Sequence, residues 1–319
     1  MRFAKAVLLA AVCVPALFTI ATAEPQDLSA RIENDQLVVT VADKLFTCYK
    51  FSHDQKYPYF WPVNGPRSNQ TVTTETSEPY PHHHSLFFGC DRVNGGNYWQ
   101  DANARGQILS QTPQIVRESG RRIVFTDRCL WKQPDKDPIL EDRRWIAISA
   151  PSEDIRIIDI HISLLPLVDV QILKTNHSLF AARVVPELSV ASGGTLINAE
   201  GQTTEKGTFA AASPWCDYSG ARDGITEGLA IFQSPANRWF PAKWFTRDYG
   251  FFSPTPMYWL ENDKLDLAAG ERLGLTYRVI VHAGNHITAD IPGRWTEYVD
   301  WTKQMTERRQ NQNRNNAPQ

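Results

Sequence analysis

Cysteine is scarce in this chain, and none of its five cysteines stands in a Cys-x-x-Cys pair. A thiolate zinc knuckle is therefore not expected. Neither sign of charge is in excess: 33 Lys and Arg against 35 Asp and Glu leave a net charge of -2. That balance excludes the broad basic surface that grips nucleic acid. Beyond residue 23 no apolar run reaches the roughly 18 residues of a spanning helix, so no membrane span is expected. No low-complexity linker divides the chain either, which favours one domain.

What is present is an ample apolar supply, 42% of 319 residues, with 10 Trp and 10 Tyr. Both rings offer a flat apolar face and a polar tip, which suits a core and also a sugar-facing cleft. The first 23 residues read as a secretory signal peptide: Arg2 and Lys5 lead, Ala6 to Ile20 is apolar, and Ala21-Thr22-Ala23 is a cleavage site. Cleavage near Ala23 predicts export to the periplasm or the extracellular space. Cys48, Cys90, Cys129 and Cys216 remain in the exported chain, where up to two disulfides are open and no pairing is selected.

Period-two alternation dominates the rest. In Ile157 to Leu164 the residues Ile158, Ile160, Ile162 and Leu164 share one face, and Asp159, His161 and Ser163 the other. Similar runs occur at 36–51, 122–131, 144–150, 168–173, 229–233 and 273–282, separated by turns such as Asn94-Gly95-Gly96 and Ser192-Gly193-Gly194. The expectation is an all-β protein, a large β-sandwich forming one domain over 24–307. A C-terminal helix at about 293–307 would present Trp295, Val299 and Met305 as its apolar stripe. Residues 308–319 are polar and read as a disordered tail.

The densest polar cluster is His82-His83-His84. On a strand His82 and His84 share a face and form a candidate metal pair for a divalent ion, although none is required and a third ligand is not visible. Hydrogen bonding to substrate or proton transfer is the other role open to His82 and His83. Asn176-His177-Ser178 interrupts an apolar strand pattern, and a buried polar group needs partners or a function. Trp215, Asp217, Asn237, Arg247 and Tyr249 add aromatic, amide and charged groups. A carbohydrate cleft needs rings for C–H faces and planar polar groups for hydroxyls, so these residues, with His82 and Asn176, are candidate substrate contacts.

Several of these segments occur together in a known family. Pro81-His82-His83, Val93-Asn94-Gly95 with Tyr98-Trp99, Trp215 to Gly220, Glu227 to Ile231, Pro235-Ala236-Asn237 and Arg247 to Gly250 resemble the PmoA-like family, a bacterial group without assigned function that is often labelled a methane oxygenase. The resemblance runs from about Leu37 to His282. The family often has a His two positions before its His pair, where this chain has Tyr80. A membrane oxygenase subunit needs spanning helices, so that label is not carried over as a function. Thr175-Asn176-His177-Ser178 is similar to a stretch of the aldose 1-epimerases, or galactose mutarotase-like proteins. That similarity implies a β-supersandwich in which His177 is a general acid and a Glu is the general base. Glu227 is the choice for the base, with Glu187 and Glu261 as rivals, and His83 completes the catalytic set.

The resulting expectation is a secreted protein that acts by His/carboxylate acid–base chemistry on a sugar or oligosaccharide, as an epimerase, hydrolase or lyase. The alternatives are metal-assisted chemistry centred on His82 and His84, and carbohydrate binding without catalysis.

Overall fold

The computed structural model describes residues 24–315. The expected signal peptide and the last four residues of the expected tail lie outside the described residues, as does the side chain of Met305.

Alternation is clearest in one strand of the first of two large sheets. In Arg122–Lys132 every second residue from Ile123 to Trp131 is buried, as the two-residue repeat of a strand requires. This strand joins Leu140–Ser152, Ile155–Pro166, Leu273–Ala283, Ile225–Gln233, Trp215–Arg222 and Thr195–Asn198 by antiparallel pairing, with Gln107–Ser110 and Gln114–Arg117 at its other edge. The other large sheet runs in the order Trp244–Thr246, Phe251–Pro254, Ser178–Arg183, Leu86–Cys90, Tyr59–Val63, Lys44–Lys50, Gln36–Val41, Leu28–Glu33 and Ser119–Gly120. A two-stranded ribbon, Val170–Leu173 with Lys264–Leu267, stands apart. The expected large all-β sandwich is thus the fold. The run read as 36–51 is a hairpin rather than one strand, because Ala42 and Asp43 turn the chain with φ of 47° and 62°. Neither is the Asn-Gly signature of such a turn.

The inner faces of the sheets meet in one continuous apolar core, crossed by a buried polar network. Tyr49, on the strand Lys44–Lys50, donates to Asp127 of the facing sheet at 2.8 Å. Arg144 grips Asp142 through Nε and Nη2 at 2.8 and 3.1 Å, and Trp131 donates to the same carboxylate at 2.7 Å. Nη1 of Arg144 reaches the Tyr49 hydroxyl and the Pro58 carbonyl, both at 3.3 Å. All four cysteines are buried and free, so no disulfide joins the described residues.

The helix Ile291–Asn315 is longer than the expected 293–307 and takes in residues 308–315 of the expected tail, and through Ile291, Trp295 and Tyr298 it covers the outer face of the sheet that contains Ile225–Gln233. There Ala230 and Phe232 point away from the main core into a second apolar cluster with Trp215, Ile280 and Tyr298. Trp295 meets Phe232 at 5.5 Å and Phe240 at 5.9 Å. The sequence stripe missed Tyr298, which is fully buried. Among the described residues no helix is long and apolar enough to cross a membrane.

Candidate functional site

The strand pair Leu86–Cys90 and Ser178–Arg183 positions the site. Phe180 turns inward and stacks on Tyr277 of the facing sheet at 4.6 Å. Alternation then turns Leu179, Ala181 and Arg183 outward, beside their partners Gly89 and Phe87. One step beyond the ladder the same register sets His177 against Asp91, whose amide donates to the His177 carbonyl at 3.0 Å. The Tyr98–Trp99 segment lies over this outer face. A Cβ at Gly89 would stand 2.6 Å from the Tyr98 carbonyl oxygen, so glycine is needed for the cover to close. Trp99 packs on Phe87 at 4.6 Å and on His177 at 5.9 Å.

The His177 side chain is fixed by Asp91. Nδ1 lies 3.1 Å from Asp91 Oδ2, and a carboxylate only accepts, so Nδ1 carries the proton and Nε2 the lone pair. The amide nitrogen of Gln100, 3.4 Å from the same Nδ1, is then a neighbour and not a donor to it. Thr175 steadies the turn by accepting the His177 amide on its hydroxyl at 3.0 Å. The His177 ring is 26% exposed while Asp91 is 7% exposed. This is an imidazole oriented by a buried carboxylate, with Nε2 available for proton transfer.

His82 and His83 line the same face. The His82 ring stands 5.8 Å from His177 and 4.5 Å from His83. His83 stacks on Phe251 at 4.2 Å and on Tyr80 at 5.3 Å. Burial, then the neighbouring His177, lowers the His82 pKa to about 4. Burial, then His82 and Arg183, lowers that of His83 to about 2. Both are neutral near pH 7. Arg183 donates from Nη1 towards His83 Nδ1 at 3.5 Å and lies 4.2 Å from the centre of the Tyr249 ring. Tyr249 in turn meets Tyr80 at 5.2 Å.

Four buried atoms of this cluster have no hydrogen-bond partner: His82 Nε2, Asp91 Oδ1, Trp99 Nε1 and Arg183 Nε. Buried polar atoms are nearly always paired, so this group makes the cluster the candidate site. A depression of about 360 Å³, lined by Asp91, Asn97, Gln100, Asp101 and Arg105, adjoins it. A larger hollow of about 890 Å³ lies elsewhere, between Glu24, Glu153, Asp154 and Arg294. None of the orphaned atoms belongs to its lining, so chemistry rather than size places the site.

Of the residues singled out in the sequence, His82, His83, His177 and Tyr249 are brought together. Asn176 adjoins them along the chain and is half-buried. Glu227 is held elsewhere: its carboxylate accepts the amides of Arg67 and Ser68 at 2.7 and 3.0 Å and the Ser68 hydroxyl at 2.5 Å. Its rivals Glu187 and Glu261 are exposed on the surface. Trp215 is in the cluster under the terminal helix. Asp217 is buried against His282 at 2.7 Å. Asn237 clasps the backbone of Thr276 from both sides at 2.9 and 2.8 Å. Arg247 pairs with Glu205 at 3.0 Å and lies over Phe245 at 4.0 Å. The metal pair is also divided. Residues 81–85 are a loop and not a strand, so alternation does not apply, and Ser85 bends the chain at φ 54°. His84 turns to the Glu75 carbonyl at 2.7 Å and stacks on Tyr59 at 4.9 Å. Among the described residues no three His, Cys, Asp or Glu side chains converge as a metal site needs. Asp91 and Arg183 are what the sequence reading missed. Asp91 stands two residues before the Val93-Asn94-Gly95 segment, and Arg183 is a lone charge closing an apolar strand.

A family model covers most of the chain, matching residues 36–296, and its description is a family of unknown function, DUF6807. The chain belongs to this family. That match overturns the PmoA-like resemblance. No curated protein matches the chain. Solved structures with some likeness include an α-galactosidase from Lactobacillus brevis, at 9% identity and a TM-score of 0.36, over 81% of this chain and 39% of that one. The chain thus spans about two fifths of that protein. Others are a putative aldose 1-epimerase from Escherichia coli K12, at 11% identity and 0.35 over 81% and 99% of the two chains, and a galactose mutarotase related enzyme from Lactobacillus acidophilus, at 8% and 0.29 over 80% and 97%. At these scores the likenesses carry no argument about reaction or ligand.

The buried histidines make stability depend on pH. An unfolded chain takes up protons on His82 and His83 near pH 6.5, but the folded chain resists until about pH 4 for His82 and about 2 for His83. The unfolded state therefore binds more protons below neutrality, and stability falls as the pH drops through that window. Urea unfolding between about pH 6 and 4 is expected to show this loss. His83→Asn should flatten the slope by one proton, about 1.4 kcal/mol per pH unit. Parallel slopes for the two proteins would refute the assignment.

Proposed function

We propose that this protein is an enzyme that moves a proton on a small carbohydrate-type molecule bound where the His177 ring reaches the surface, beside the strand pair 86–90 and 178–183. The observation that carries the reading is the His177–Asp91 pair. Asp91 holds the proton on Nδ1, so Nε2 takes a proton from the substrate, and the carboxylate steadies the imidazolium that results. Once protonated, the same Nε2 returns the proton to a leaving oxygen or to the opposite face of the reacting carbon. His82, neutral and 5.8 Å away between ring centres, is a hydrogen-bonding group for a hydroxyl. Tyr80, exposed, and Tyr249, half-buried, supply ring faces, and the depression beside Asp91 and Gln100 supplies amide and carboxylate groups suited to a polyhydroxylated ligand. Asp91 takes the carboxylate role expected of Glu227. Epimerisation, elimination and hydrolysis all use such a pair.

The test is a panel of monosaccharides, disaccharides and sugar acids, scored for binding by calorimetry and for turnover by product analysis, with the native protein and His177→Gln. The expected result is turnover that the variant loses while it retains binding. Binding without turnover by the native protein would make the site a carbohydrate-binding surface. No binding across the panel would overturn the carbohydrate reading.

A further inference from the structure

Arg183 is 2% exposed, yet none of the described acidic residues pairs with it. The other buried arginines are satisfied. Arg144 holds Asp142. Arg156 donates to the carbonyls of Ser152 and Ile155 at 2.8 and 3.0 Å and to Gln26 at 3.1 Å. For Arg183 the one side-chain hydrogen bond is the 3.5 Å contact from Nη1 to His83, a neutral partner at the limit of hydrogen bonding. A buried charge left without a partner strongly destabilises a fold. A chain that retains such a charge beside its candidate catalytic residues is equipped for an external counter-ion.

The geometry names the kind of counter-ion. With Nη1 turned to His83, the Nε–Nη2 edge of the guanidinium is left, and Nε is buried without an acceptor. That edge presents two parallel N–H bonds at the spacing of a carboxylate. The chain uses the same edge for its own carboxylates: Arg144 on Asp142 at 2.8 and 3.1 Å, Arg278 on Asp159 at 2.7 and 3.0 Å, and Arg31 on Glu33 at 3.0 Å twice. The Tyr249 ring lies against the guanidinium, its centre 4.2 Å from Cζ. His82 and His83 bring no competing charge at neutral pH, and they bridge from Arg183 to His177 along the sheet face.

We infer that the ligand of this site is a sugar acid whose carboxylate is held by the Nε–Nη2 edge of Arg183 while its ring lies against His82 and His177. This rests on the carbohydrate reading given above. It also gives the proton transfer a chemical reason, because a carboxylate fixed by a guanidinium acidifies the carbon next to it, and a base beside that carbon is what epimerisation or elimination of a sugar acid needs.

The experiment is calorimetric titration of the full chain at neutral pH with D-glucuronate, D-galacturonate and D-mannuronate, with the neutral parent hexoses, with the hexose 6-phosphates, and with acetate. At least one uronate is expected to bind tenfold or more tightly than its neutral parent, and Arg183→Gln, checked for folding by near-ultraviolet circular dichroism, should remove that preference. If the variant does not fold, the native comparison alone decides. Neutral hexoses binding as tightly as the uronates would overturn the carboxylate assignment and leave the proposed function standing. Tighter binding of the 6-phosphates would also overturn it, in favour of a phosphate ligand. Acetate binding as tightly as any uronate would sustain the role of Arg183 but sink the sugar. No binding by any of these probes would overturn both.

Discussion

Asp91→Asn is expected to lower turnover by about 10²–10⁴-fold while leaving the fold and ligand binding largely intact. The carboxylate at 3.1 Å from His177 Nδ1 does more than hold the ring. It dictates which nitrogen bears the proton. An asparagine amide in its place donates to Nδ1, so the proton moves to Nε2 and the lone pair facing the substrate is lost. It also removes the negative charge that stabilises an imidazolium. His177→Ala should be as damaging, and the double variant no worse than either single one, because the two residues act as a unit. The measurement is kcat for the three variants on whatever ligand the panel identifies. A double variant whose loss is the product of the two single losses would show that the residues act separately, and the pair would then not be the proton-transfer device.

The second large effect concerns stability. Asp142→Ala should cost about 3–5 kcal/mol, because it strands the Arg144 guanidinium in the core between the sheets. Arg144 is 4% exposed and Asp142 not at all, and the Trp131 indole loses its acceptor in the same change. Chemical denaturation is the measurement. Combining Asp142→Ala with Arg144→Met should recover much of the loss, since removing both charges also removes the desolvation cost. A single variant within about 1 kcal/mol of the native protein would mean that water reaches the guanidinium. The comparison bears directly on Arg183: if the loss at Arg144 is large, an unpaired buried arginine is costly in this fold, and its retention at 183 calls for a ligand.

The sheets were legible where strands alternate, as Arg122–Lys132 and Val170–Leu173 do. Ile158, Ile160 and Ile162 declare an inner face by themselves. The candidate site was legible only in part. Leu86–Cys90 and Ser178–Arg183 are buried on both faces, so their sequence carries no alternation and does not say which side chains point outward. The pairing of His177 with Asp91 spans 86 residues and depends on a strand register that no local pattern encodes. Glu227 attracted the base assignment through its neighbours along the chain, whereas its surroundings are the loop around Arg67 and Ser68. His82 and His84 were paired by a strand rule that a loop does not obey. Asp217 and Asn237 illustrate the common fate of an internal polar residue: each is consumed by a partner within the fold, His282 and Thr276.

The terminal helix, packed through Trp295 and Tyr298 on Phe232, lies on the outer side of one sheet, and the His177–Asp91 pair on the outer side of the other. The whole thickness of the sandwich stands between them. Immobilising the molecule by that helix therefore fixes its orientation: the His177–Asp91 pair looks away from the attachment plane, towards bulk solvent, and a fusion partner added there has two layers of strands between it and those two residues.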